Sequence, residues 1–101
     1  MKNNIDECPV RKSLSILGGK WKLLIIYHLY ENEFLRYGEL KRSIPEISEK
    51  MLNQELKSLL NNLIIDKKVH PEVPPRVEYS LTKKGKKAQP IISLLQTFGT
   101  E

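Results

Sequence analysis

The sequence predicts a mainly α fold with a small β-hairpin, an α+β domain arranged as a winged helix-turn-helix. Three observations predict it. The segment from Ser48 to Asn62 sorts at helical period into an apolar stripe and a basic-polar one. A short helical segment and a tight turn precede it, and two strand-like runs around a proline-rich loop follow it.

A chain of 101 residues makes a single domain, read here as residues 1–101, with room for one core. Its net charge of +5 favours an anionic partner, either nucleic acid or an acidic membrane surface.

From the N-terminus, Pro9 to Leu17 reads as a helix, because proline suits the first helical position. Gly18 and Gly19 then redirect the chain. They are not a phosphate-binding loop, since Leu14 stands where that motif needs its first glycine. Lys20 to Tyr30 is apolar on nearly every side. Trp21, Leu24, Ile25 and Leu29 share one face, with Leu23, Ile26, Tyr27 and Tyr30 on others, so this is the expected central core helix.

Tyr37 to Ser43 forms the next short helix, with Leu40 and Ile44 as its apolar contacts. Pro45 keeps Ile44 out of the α region, and Ser48 is placed to cap the amides of the following turn. Advancing about 100° per residue through the second helix, Leu52, Leu56, Leu59, Leu60 and Leu63 gather on one side at spacings of 4, 3, 1 and 3. Lys50, Asn53, Gln54, Lys57 and Asn61 fall opposite. A solvated helix face would also look like this. The preceding helix and turn favour a more specific reading, in which the first helix supports and the second enters the major groove of DNA. There Asn and Gln can bond adenine bidentately, and Lys can read guanine or neutralise phosphate. The expected DNA-facing set on this helix is Ser48, Lys50, Met51, Asn53, Gln54 and Lys57, with Arg36, Lys41 and Arg42 of the supporting segment near phosphate.

Asn61 and Asn62 are the residue type that tolerates a left-handed helix end. Beyond them, Ile64 to His70 is rich in β-branched residues. Arg76 to Leu81 alternates, with Val77, Tyr79 and Leu81 on one side and Arg76, Glu78 and Ser80 on the other. Between the strands, Pro71, Glu72, Val73, Pro74 and Pro75 make a stiff, donor-poor wing. Arg76 suits the negative potential of a narrow minor groove, and Lys68 or His70 could add phosphate contacts.

Thr82 is a candidate cap for a final helix that opens with Lys83, Lys84, Lys86 and Lys87, and Pro90 should kink or restart it. The cluster either is solvated or meets phosphate. After Pro90, Ile91, Leu94, Leu95 and Phe98 form an apolar stripe. Such a stripe can pack within one subunit, but a small core has little use for all of it, so part of it, with Ile5, Val10 and Leu14, is expected to pack on a second subunit. The fold would thus form a twofold dimer through its N- and C-terminal helices.

Several classes fall away. The apolar run Leu23 to Ile26 is too short for a bilayer, and Met1 to Val10 lacks the apolar block of a signal peptide, which points to the cytoplasm. His28 and His70 lie far apart in the pattern and a single cysteine cannot complete a zinc site, so no metal or other cofactor is expected. No serine has a base and orienting acid at a recognisable spacing, which argues against an enzyme. Cys8 precedes a helix and has Arg11 and Lys12 nearby, a setting that favours the thiolate, although lone cysteines in reducing compartments are commonly inert.

The motifs Cys8-Pro9-Val10, Gly18-Gly19-Lys20-Trp21, Tyr37-Gly38-Glu39-Leu40 and Ile47-Ser48-Glu49-Lys50-Met51-Leu52 occur in that order. They are followed by the unbroken run from Pro71 to Thr82, PEVPPRVEYSLT. In these motifs the chain resembles the HxlR-type winged helix-turn-helix transcriptional regulators, and the resemblance covers nearly everything from Cys8 to Phe98. The resemblance implies a bacterial or archaeal regulator that binds double-stranded DNA as a homodimer, with outer helices at the interface. It also implies a role for Cys8, because some members use a cysteine at this motif to sense oxidants or electrophiles, by a disulfide between subunits or by alkylation. Winged helices also serve as protein-interaction modules and occasionally bind RNA. Single-stranded RNA readers generally need an exposed aromatic platform, which the Lys50, Asn53, Gln54 and Lys57 stripe does not offer.

Overall fold

A computed structural model describes residues 8–101, so the expectation for Ile5 lies outside the described residues. Helix α1 (Pro9–Leu17) starts on its proline, and the chain leaves it through Gly19, whose φ of +93° few other residues would adopt. Helix α2 (Lys22–Glu31) buries Ile25, Ile26 and Leu29. Leu24 and Tyr30 are exposed, which corrects the expectation of burial nearly all round. α2 packs on the helix Tyr37–Ser43, the strand Arg76–Leu81 and the helix Gln89–Gly99, and its remaining side stays at the surface.

Strand β1 (Leu35–Arg36) leads directly into α3 (Tyr37–Ser43). The Glu39 carboxylate accepts a hydrogen bond from the Arg36 amide at 2.8 Å, satisfying one orphan donor of that helix end. Ile44, before Pro45, sits at φ −128° and ψ 75°, outside the α region as its proline neighbour requires. Helix α4 (Glu49–Asn61) then starts on Ser48, whose Oγ accepts from the Met51 amide at 3.1 Å. Leu52, Leu56 and Leu59 are buried and Leu60 is half-buried, as the stripe predicts.

Leu63 departs from that stripe. It lies beyond the helix, 66% exposed, at φ +59°. The amides of Leu63 and Ile64 bond back to the carbonyls of Leu60 and Leu59 at 3.1 and 2.9 Å, the paired bonds of a Schellman ending. The left-handed residue is therefore Leu63, and Asn62 stays at φ −90°, contrary to the expectation for Asn61 and Asn62. The motif tolerates leucine there because it brings Ile64 back over Leu59, and both are buried.

Strands β2 (Ile65–His70) and β3 (Arg76–Leu81) form the wing hairpin. The predicted two-stranded hairpin is a three-stranded antiparallel sheet in the order β1-β3-β2, with Leu35 opposite Tyr79 and Arg36 opposite Glu78. Two residues are too few to show a period in the sequence, so β1 was not legible there. Tyr79 and Leu81 face the core, and Arg76, Glu78 and Ser80 form the outward row.

The helical C-terminal region is split into α5 (Lys83–Lys86) and α6 (Gln89–Gly99), the latter carrying Pro90 in its first turn. Thr82 caps α5 by accepting from the Gly85 amide at 2.9 Å, and its hydroxyl donates to the Leu63 carbonyl at 2.6 Å. A side chain on Gly85 would run into the Ile64 carbonyl oxygen, so glycine permits this close approach of α5 to the turn after α4. Ala88 and Ile92 tuck into the core, beside Ile25, Ile26, Leu40, Ile47 and Ile65.

Candidate nucleic-acid interface

Helix α4 is held by its leucines from within and by an ion pair at its flank. Lys22 Nζ at the start of α2 lies 2.6 Å from Oε1 of Glu55, and both side chains are largely covered. Sequence reasoning missed this pair, because the two residues lie on different helices. With the inner side so anchored, Lys50, Asn53, Gln54, Lys57 and Asn61 all remain exposed. Ser48 is exposed but spends its hydroxyl as a cap, and Met51 is half-buried against the core.

The predicted supporting residues of α3 lie beside the turn that leads into α4. Arg42 is exposed on α3, and Lys41 Nζ reaches the Pro45 carbonyl at 3.5 Å, across the turn between the helices. Tyr37 donates to the Glu49 carbonyl at 3.5 Å and so ties α3 to the first turn of α4. Burial, and next the Glu49 carboxylate, push its phenol above the ordinary value, so it stays a donor at neutral pH.

On the wing, Arg36, Lys68, His70 and Arg76 share the outward face of the sheet, and each neighbours Glu78 by cross-strand register or direct pairing. Arg36 and Lys68 flank Glu78 on the two neighbouring strands. His70 Nε2 meets Glu78 Oε1 at 2.8 Å. Arg76 reaches Glu72 at 3.3 Å and Glu78 at 3.5 Å. The hydrogen bond to His70, aided by the charges of Arg76 and Arg36, holds the Glu78 carboxyl below its usual range against the opposing effect of burial. Glu72 and Glu78 were not among the predicted site residues. The alternation of arginine and glutamate at Arg76 and Glu78 was the available signal. Lys84, from the basic cluster after the wing, donates to the Asn62 carbonyl at 3.3 Å and helps close the end of α4.

The terminal helices present the remaining predicted surface. Val10 and Leu14 on α1 and Ile91, Leu94, Leu95 and Phe98 on α6 are all exposed, Phe98 by 77% and Leu94 by 71%. Among the described residues no group of acidic, histidine or cysteine side chains could hold a metal ion, and no helix is long and apolar enough to cross a membrane.

A family model described as HxlR-like helix-turn-helix matches residues 16–101. The chain belongs to the HxlR family. It is 44% identical over 98 residues to the HTH-type transcriptional regulator BH0655 of Halalkalibacterium halodurans, covering 97% of this chain and 87% of that protein. A crystal structure from Porphyromonas gingivalis W83, assigned to the MarR family of transcriptional regulators, matches with a TM-score of 0.90 and 58% identity over 100% of this chain and 98% of the other. The redox regulator HypR in its oxidized form matches with a TM-score of 0.87 and 38% identity, over 92% and 95% of the two chains. This HxlR-family protein is a winged-helix transcriptional regulator, not an enzyme.

Proposed function

We propose that this HxlR-family regulator acts as a homodimer that binds double-stranded DNA in a sequence-specific manner, at an operator containing an inverted repeat. The observation that carries the reading is the division of α4. Its leucines are seated in the core while Lys50, Asn53, Gln54, Lys57 and Asn61 stand in solvent on the opposite face. A helix of this kind fits the major groove, where Asn53 and Gln54 have the chemistry of base-edge contacts and Lys50 and Lys57 that of guanine or phosphate contacts. Arg36, Lys41, Arg42 and Lys68 are then the supporting cations. Such a regulator works where the chromosome is, in the cytoplasm.

The dimer rests on apolar surface that the subunit does not cover. Hollows lined by Val10, Leu14, Leu23 and Ile91 and by Leu23, Leu24, Tyr27 and Leu95 adjoin the exposed stripe of α6. A twofold pair would carry its two recognition helices roughly 34 Å apart, one turn of DNA.

Cys8, half-buried at the start of α1, is the proposed point of control by an oxidant or small electrophile. Support comes from its place beside the proposed dimer helices and from the likeness to HypR, which is itself named a redox regulator. Binding to DNA before and after diamide or quinone treatment tests this, and unchanged affinity with the thiol fully modified rules it out.

Footprinting on the intergenic DNA beside the protein's own gene tests the main reading. Two protected half-sites centred one helical turn apart are expected. Uniform, sequence-independent protection that disappears at moderate salt would overturn it.

A further inference from the structure

Arg76 opens β3 opposite His70, so these two residues close the base of the wing loop. Four side chains, Glu72, Arg76, Glu78 and His70, are linked across that base. Glu72 Oε2 lies 3.3 Å from Arg76 Nη2, Arg76 Nε lies 3.5 Å from Glu78 Oε2, and Glu78 Oε1 lies 2.8 Å from His70 Nε2. The loop above has few backbone bonds of its own, because three of its five residues are proline; the Glu72 amide does reach the His70 carbonyl at 2.8 Å. Val73 at the tip is fully exposed.

We propose that Arg76 and Glu78 are wing-positioning residues: their linked charges set the angle at which the proline tip leaves the sheet, and Arg76 is not itself a ligand for phosphate or the minor groove. The charge balance supports this. Arg76 faces two carboxylates, Glu72 and Glu78, so its charge is already met within the group. Its Nε is also buried, so swinging the guanidinium outward would strip both ion pairs at once. What the wing offers a groove is the apolar edge of Val73, Pro74 and Pro75.

The inference rests on the DNA-binding reading, and its test separates the two. Hydroxyl-radical footprints and salt-dependent affinities would be measured for the unsubstituted protein and for R76Q, R76K, E78Q and R76Q/E78Q. Expected is a loss of protection outside the half-site core in every variant, with core protection kept and the salt slope unchanged. The double variant should be no worse than either single one. R76K should fail to restore the flanks, because an ammonium keeps the charge but not the planar fork that meets two carboxylates. A salt slope lowered by about one in R76Q and restored in R76K would identify a phosphate contact and overturn the proposal. Tighter binding by E78Q would overturn it too. Absence of binding by the unsubstituted protein would sink the DNA reading alone. In that case exchange of the Glu72 amide, bonded to the His70 carbonyl, still decides, faster in both R76Q and E78Q if the linked charges hold the wing, unchanged in either if they do not.

Discussion

Lys22 and Glu55 meet at 2.6 Å with side chains only 16% and 14% exposed, which pins the start of α2 to the flank of α4. A nearly covered pair is costly to break singly, because the surviving charge is left without a partner. K22M or E55Q alone should therefore destabilise the fold by about 1–3 kcal/mol, between the values for exposed and buried pairs. Replacing both by apolar residues should recover most of the loss. Urea titrations of the two single variants and the double variant provide the check, and additive losses would contradict the pairing.

On the exposed side of the same helix, base and phosphate contacts should separate by their salt behaviour. N53A and Q54A are expected to relax sequence preference, each costing roughly 1–3 kcal/mol on the cognate site. K57A should instead weaken binding to all sequences and lower the salt slope by about one if Lys57 serves phosphate. Affinities on matched and scrambled duplexes over a salt series measure both.

Leu63 holds a left-handed conformation that costs a residue with a Cβ roughly 1–2 kcal/mol. Glycine removes that cost but adds about 0.5–1 kcal/mol of chain entropy to the unfolded state. Since the Leu63 side chain is mostly exposed, little burial is lost. L63G should be more stable than the unsubstituted protein by about 0.5–1 kcal/mol, read from the urea midpoint. A clear destabilisation would mean that the side chain makes contacts worth more than the strain.

Glu78 ties stability to acid. Its carboxyl is held below the usual range first by the hydrogen bond with His70, and folding is favoured by that shift wherever the unfolded carboxyl is ionised. The contribution is fully present above the ordinary carboxylate range and is lost as pH falls through the lowered folded value. Denaturation midpoints followed from neutral pH into acid should therefore fall more steeply for the unsubstituted protein than for E78Q. Parallel curves would show that Glu78 does not supply this dependence.

Leu94 and Phe98 stand far out of the subunit on α6, and a partner subunit is the proposed cover. The protein should sediment as a dimer at micromolar concentration, and L94D/F98D should sediment as a folded monomer with weakened operator binding. Monomer throughout for the unsubstituted chain would remove the dimer from the proposal.

Local chemistry determined a large part of this protein from the sequence alone. Apolar period, a capping serine at Ser48, Pro9 and Pro45, and the alternation from Arg76 to Leu81 each act within a turn or two of chain, and the helices and wing strands follow them closely. The exposed stripe of α4 was legible for the same reason, being the complement of Leu52, Leu56 and Leu59. Tertiary structure alone decided what depends on distant partners. Strand β1 exists because β3 pairs with it, and Leu63 turns left-handed where the Schellman bonds bring Ile64 back toward the core and Thr82 engages the Leu63 carbonyl. Arg76 and His70 likewise looked free in sequence, yet both are engaged by Glu78, which the strand register sets among them. A residue's own character says that it is charged or apolar; which groups stand opposite it is settled only when the strands and helices have met.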